Sequence, residues 1–104
     1  MPIVNVVAKI TTKPGMREEV LKIFEQNIPN VLAEDGCIEY GSTIDMEGVG
    51  NFQTTLGPDT FVVIEKWESL EHLMAHTVTP HMKTYASKVQ NMLDSRAIHV
   101  LKST

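Results

Sequence analysis

The sequence is poor in cysteine and in long apolar segments. Its one cysteine, Cys37, excludes an internal disulfide and any metal site built from several cysteines. No apolar run approaches the roughly 18 to 20 residues that a membrane-spanning helix needs. The amino terminus also lacks the basic and apolar pattern of a secretory signal. We therefore expect a cytoplasmic protein with no membrane partner.

Basic residues are scarce as well. Nine Lys and Arg residues stand against thirteen Asp and Glu residues, and the nine are scattered along the chain. No strip of positive charge is available for a phosphate backbone, so nucleic acid is not expected as a partner.

Repeats, low-complexity tracts and linkers are absent too. Residues 1–104 are expected to form one domain with a modest core.

The stretch from residue 61 to residue 85 contains most of the reactive side chains. It begins with FVVIEKW, which is rich in β-branched and aromatic residues and follows a Gly-Pro-Asp turn. This composition predicts a buried strand over residues 61–67. Because side chains alternate across a strand, Val63, Glu65 and Trp67 share one face. The strand therefore places a carboxylate beside an indole.

Two short helices should follow this strand. Ser69 is a good N-cap and predicts a helix from residue 70 to about residue 76. The Thr-Pro pair at 79 and 80 predicts a second helix start, continuing to about residue 93. A tight bend between the two helices would bring His76 and His81 to the edge of the Glu65 and Trp67 face.

The remaining elements follow from hydrophobic periodicity. Strands are expected over residues 3–11, 37–45 and 96–101, with a helix between the first two that Pro29 kinks or restarts. Ile38, Tyr40 and Ile44 should share the apolar face of the second strand. Residues 46–60 read as a long loop, with a short strand at 52–54 as an option. The order predicts an α+β, ferredoxin-like βαββαβ fold with an antiparallel four-stranded sheet and helices on one face.

The other face of this predicted sheet is also apolar. Ile3, Val7, Val62 and Ile64 would be exposed to water if helices covered only one side. Exposed apolar patches of this kind usually mark an interface. A second copy packed sheet to sheet is the economical solution, so we expect a homodimer.

Four segments of the sequence carry a resemblance to a known family: VVAKITTKPG, EDGCIEY, EKWES and AHTVTPHMKTY. They resemble the antibiotic-biosynthesis monooxygenase superfamily, in particular its small quinol-monooxygenase-like members, and the resemblance extends over essentially the whole chain. It implies a dimeric α/β barrel that oxidises a quinol or similar phenolic small molecule with O₂, without flavin, haem or metal.

The resemblance has departures, and alternatives stay open. Polyketide-oxidising relatives have Asn where this chain has Val63, and haem-degrading relatives have Asn and His where it has Ala8 and Ala86. The segment AHTVTPHMKT also resembles isomerases or degradation enzymes for a phosphorylated autoinducer-2-like signal. A non-catalytic quinone-binding dimer is a third reading. Membership of a fold family determines the reaction poorly.

The strand pattern and the resemblance together predict a site around His76. An imidazole titrates near neutrality, so His76 is expected to act as the base, with Glu65 orienting it or sharing its proton. Trp67 completes the predicted catalytic set, although an aromatic core residue would fit the same position. Six further positions are predicted to bind the substrate: Val63, Phe24, His81, Met82, Tyr85 and Tyr40.

His72 and His76 are four residues apart on one helix, a spacing that can bind a metal. No second cluster of ligands accompanies them in the sequence. We therefore expect no metal site, and expect these histidines to face solvent or to cap a helix.

Overall fold

The computed structural model describes residues 2–104. Along the chain lie β1 (Val4–Thr12), α1 (Arg17–Leu32), β2 (Cys37–Thr43), β3 (Thr60–Trp67), α2 (Leu70–His76), α3 (Pro80–Val89) and β4 (Leu93–Lys102). Among these elements, no helix combines the length and the apolar character needed to cross a membrane.

The four strands form one antiparallel sheet in the order β2-β3-β1-β4. The predicted α+β, ferredoxin-like βαββαβ fold is therefore confirmed. β1 and β3 occupy the centre, where a strand can be covered on both faces, and their sequences are apolar on both. The two helix starts are confirmed as well, because Ser69 Oγ accepts a hydrogen bond from the His72 N–H and Thr79 Oγ accepts one from the Met82 N–H.

Several predicted boundaries are wrong. β2 ends at Thr43, and residues 52–54 form no strand, because the Asp45 carboxylate accepts hydrogen bonds from the N–H groups of Leu56 and Gly57 and closes the loop on itself. α1 continues through Pro29 without restarting. α3 ends at Val89, and β4 begins as early as Leu93.

The second strand has a different face pattern from the one predicted. A register shift between Cys37 and Glu39 reverses the alternation at the start of β2. Tyr40 is buried opposite Glu65, but Ile38 is 48% exposed, and Ile44 lies beyond the end of the strand. A bulge of this kind leaves no simple signal in the alternation of side chains.

The core lies between α1 and the sheet. Val20, Phe24 and Val31 of α1 are fully buried. The Phe24 ring stacks on Tyr40, with centroids 5.1 Å apart, and meets Phe61 edge-on at 6.0 Å. Burial of a side chain of this size contributes about 1.5–3 kcal/mol, so this aromatic group is a main source of stability.

We call the face of the sheet without helices the open face. Val7 of β1 pairs with Ile64 of β3 there, and Val62 lies on the same side. These side chains are only partly buried, and Ile3 beside them is 48% exposed. The apolar surface predicted from the sequence is therefore present.

Candidate active site

A cavity of about 400 Å³ lies between the β4 side of the sheet and the two short helices. We call it the β4 cavity. Its apolar walls are formed by Val6, Leu73, Met74, Met82, Ala86, Ile98 and Val100. Polar or charged side chains at its boundary are Glu65, His76, Thr77, Lys83 and Arg96.

The cavity exists because the helices leave part of β4 uncovered. Ile98 and Val100 pair with Ala8 and Val6, so they lie on the helix-covered face of the sheet. They are nevertheless 52% and 51% exposed, whereas Ala8 and Val6 are buried. A concave, mostly apolar site with a few polar groups is the usual form of a small-molecule site.

Glu65 lines the β4 cavity and is 8% exposed. Its Oε1 accepts a hydrogen bond of 2.9 Å from the indole Nε1–H of Trp67, two residues along the same strand face. Burial raises the pKa of Glu65, and the nearby Glu34 carboxylate acts in the same direction. The Trp67 hydrogen bond and His76 oppose this rise.

His76 ends α2 and is only 4% exposed, deeper than the helix-edge position predicted. Its ring centroid lies 4.7 Å from that of Trp67 and 5.6 Å from that of Tyr40. Its Nδ1 lies 2.9 and 3.1 Å from the two carboxylate oxygens of Glu34. The carboxylate that orients His76 is therefore Glu34, not Glu65 as expected.

Glu34 lies in the turn after α1, and its side chain is 11% exposed. Its Oε2 also lies 2.7 Å from Nε2 of His81, so one carboxylate joins two imidazoles. An ionised carboxylate only accepts hydrogen bonds, so His76 donates through Nδ1 and His81 through Nε2. In its neutral form His76 then has an unprotonated Nε2. We assign these tautomers from the hydrogen-bond network.

His76 also lines the β4 cavity, whereas Glu34 lines a different depression together with His72. Among residues 2–104, no side chain or backbone group bonds to Nε2 of His76.

The turn that holds Glu34 depends on Gly36. This glycine has φ +81°, a backbone conformation that residues with a side chain rarely adopt, and an added Cβ would overlap the His72 ring. His72 is hydrogen-bonded to Ser69, the N-cap of α2, with its Nδ1 2.6 Å from Ser69 Oγ. His72 and His76 therefore have separate partners, and residues 2–104 contain no group of three potential metal ligands.

The structure brings together only some of the predicted site residues. His76, Glu65 and Trp67 meet, and Met82 lines the same cavity. Val63, Phe24 and Tyr40 lie in the core beneath it. His81 and Tyr85 line a smaller cavity of about 180 Å³ between α1 and α3, and Tyr85 also lines a cavity of about 350 Å³ next to Met82 and Arg96.

Burial raises the pKa of both tyrosine hydroxyls, that of Tyr85 to about 12. Neither phenol is therefore suited to act as a base near neutral pH.

The sequence reasoning missed Glu34 and Arg96. Glu34 was visible in the segment EDGCIEY, but its partners are 42 and 47 residues away in the chain. Arg96 shares the strand parity of Ile98 and Val100, and that parity could have placed it on the cavity side.

Comparison with known proteins identifies the family of the chain. Residues 3–88 match the family model described as antibiotic biosynthesis monooxygenase. The chain belongs to this family. It is 41% identical over 100 residues to Probable quinol monooxygenase YgiN from Escherichia coli K12, covering 94% of this chain and 95% of that protein.

Solved structures with the same fold align over nearly the whole chain. A conserved protein from Methanosarcina mazei Go1 has a TM-score of 0.84 at 26% identity, covering 100% of this chain and 95% of the other. Rv0793 from Mycobacterium tuberculosis has a TM-score of 0.79 at 25% identity, covering 98% and 95%. Family membership establishes the fold, and the reaction must be argued from the site.

Proposed function

We propose that the protein is a cofactor-independent monooxygenase that oxidises a quinol or a similar phenolic molecule with O₂. The observation that carries this proposal is the placement of His76 between the Glu34 carboxylate and an apolar cavity. The name of the relative YgiN supports a quinol as the substrate. The isomerase and the non-catalytic binding protein have no comparable support among the relatives.

The chemistry begins with a proton transfer. Nε2 of His76 accepts the proton of a ring hydroxyl, and Glu34 stabilises the imidazolium that forms. The quinolate then reduces O₂ itself, so no external reductant is needed. A quinol and O₂ yield a hydroxyquinone and water, with one oxygen atom entering the ring and the other leaving as water.

The rest of the site supports this step. The apolar walls of the β4 cavity exclude water from the quinolate and strengthen its interaction with His76. The raised pKa of Glu65 disfavours a second negative charge beside the substrate anion. Trp67 donates its indole N–H to Glu65, which fixes the indole ring. The fixed indole packs against the His76 ring and limits rotation of the imidazole.

The proposal includes a homodimer formed through the open face. Val7, Val62 and Ile64 are aligned there, with Ile3 beside them. Light scattering at micromolar concentration should give about twice the mass of one chain, since apolar patches of this kind usually mark interfaces. A clean monomer would contradict this part of the proposal.

Isotope labelling tests the reaction. Incubation of the protein with a reduced naphthoquinone under oxygen-18 gas should give a hydroxyquinone that contains one labelled oxygen atom. The control is the same quinol in protein-free buffer, which measures spontaneous oxidation. A product without the label, formed at the rate of the control, would reject the monooxygenase.

A further inference from the structure

We infer that the substrate has an acidic substituent, which Arg96 binds at the end of the β4 cavity opposite His76, with Lys83 as a second cation lining this cavity. This inference rests on the proposed function for the aromatic ring and its oxidation. It adds the chemical class of the substrate, an anionic phenol rather than a neutral one.

The strand register separates the two ends of the cavity. Val100 and Glu65 both pair with Val6, whereas Arg96 pairs with Ile10. Arg96 and Val100 are on the same face of β4, and four residues at about 3.3 Å each place them about 13 Å apart along the strand. The Arg96 cation and the Glu65 and His76 end of the cavity therefore lie at opposite ends of one apolar surface.

The guanidinium of Arg96 has no polar partner among residues 2–104. The other arginine, Arg17, donates hydrogen bonds to the carbonyl oxygens of Gly57 and Thr60 and so holds the loop before β3. Arg96 makes no side-chain hydrogen bond and no ion pair with any residue in the range 2–104, and the same holds for Lys83. Both cations are available to a ligand.

The space around Arg96 accommodates more than one ring. A second cavity of about 350 Å³ continues beneath α3 and shares Met82, Ala86 and Arg96 with the β4 cavity. Arg96 thus lies where the two cavities meet. A ring near His76 with a short side chain would place its end group beside the guanidinium.

The chemistry of the end group follows from that guanidinium. Arginine presents paired N–H donors that match the two oxygens of a carboxylate or the oxygens of a phosphate. The chain has a net charge of −4, so an anion would be repelled without such local cations. A carboxylate on the substrate is therefore expected to strengthen binding by about tenfold, a modest value because both side chains are exposed.

Binding of unreactive oxidised quinones tests the inference without turnover. The two probes are a naphthoquinone with a carboxymethyl substituent and the same compound as its neutral carboxamide. Titration calorimetry should show about tenfold tighter binding of the acid by the wild type. Arg96→Gln should remove the difference, and Arg96→Glu should reverse the preference. Lys83→Gln should reduce the preference for the acid.

Lys88→Gln is the matched control, because Lys88 is on α3 but lines the separate cavity next to α1. It should leave the preference for the acid unchanged. Equal affinity of the wild type for acid and amide would overturn the inference and leave the proposed function intact. Failure to bind either quinone would overturn the proposed function. Tighter binding of sorbitol 6-phosphate than of the carboxylated quinone would overturn the aromatic substrate class.

Discussion

The helix-covered face of the sheet has two unlike halves. Under α1, Phe24, Tyr40 and Phe61 form a closed aromatic core. On the β4 side, Ile98 and Val100 have the same orientation toward the helices, yet about half of each side chain is exposed. One sheet thus provides a packed core at one end and a binding cavity at the other.

The difference lies in the helices. α1 has 16 residues, whereas α2 and α3 have 7 and 10 and are separated by a bend. Two short helices with a break between them leave a gap above β4 and place the end of α2 at the boundary. Glu65, Trp67 and His76 meet at this boundary, where a buried group can still reach a ligand.

The largest expected effect is a difference in the stability that each half of the sheet contributes. Phe24→Ala should lower the free energy of unfolding by about 3–5 kcal/mol, because it leaves a cavity in a closed core. Ile98→Ala should lower it by about 1 kcal/mol or less, because that side chain is already half exposed. Urea denaturation of both variants measures the difference. Equal losses would show that the β4 side is packed as tightly as the core.

The next effect concerns turnover and the Glu34 carboxylate that bonds to His76 where the core meets the β4 cavity. Glu34→Gln keeps the size of the side chain but removes the charge opposite His76, so turnover of a reduced naphthoquinone should fall by about tenfold to hundredfold. The pH at which the rate rises should shift as well, which a merely structural role would not produce. Asp35→Asn is the control, since this neighbouring carboxylate is fully exposed. A comparable loss of activity in both variants would contradict the assignment of Glu34.

The smallest effect concerns the buried carboxylate. Because the folded-state pKa of Glu65 is raised above 4.5, the folded protein retains this proton while the unfolded chain loses it. Stability from this group is present below about pH 4.5 and is lost as pH rises through the folded pKa. Glu65→Gln keeps an acceptor for Trp67 and should remove this part of the pH dependence. Parallel urea midpoints for both proteins across this range would contradict the raised pKa.

Local patterns predicted much of the fold. The alternation over β3 placed Val63, Glu65 and Trp67 on one face, and the caps Ser69 and Thr79 predicted the starts of α2 and α3. These signals depend on neighbours within a few residues, and the sequence displays them directly.

The partners within the site could not be predicted in the same way. The link between Glu34 and His76 depends on how the turn after α1 packs against the end of α2, a contact between distant parts of the chain. The register shift in β2 and the uncovered part of β4 are also tertiary features. The sequence therefore indicated that His76, Glu65 and Trp67 lie near one another, but not that Glu34 pairs with His76.

The central claim is that His76 is the base of an oxygen-consuming reaction. Glutamine at this position can still donate a hydrogen bond to Glu34, so His76→Gln should fold while losing the proton acceptor. His99→Gln is the control, because it removes another imidazole that lies outside the β4 cavity, on the open face beside Val7. Light scattering checks that this variant keeps the oligomeric state of the wild type.

Quinol-dependent oxygen uptake, measured after subtraction of spontaneous oxidation, is the most direct test. The account predicts that His76→Gln lowers the rate by about a hundredfold or more, whereas His99→Gln retains the wild-type rate. Equal oxygen uptake by the wild type, His76→Gln and protein-free buffer would contradict it.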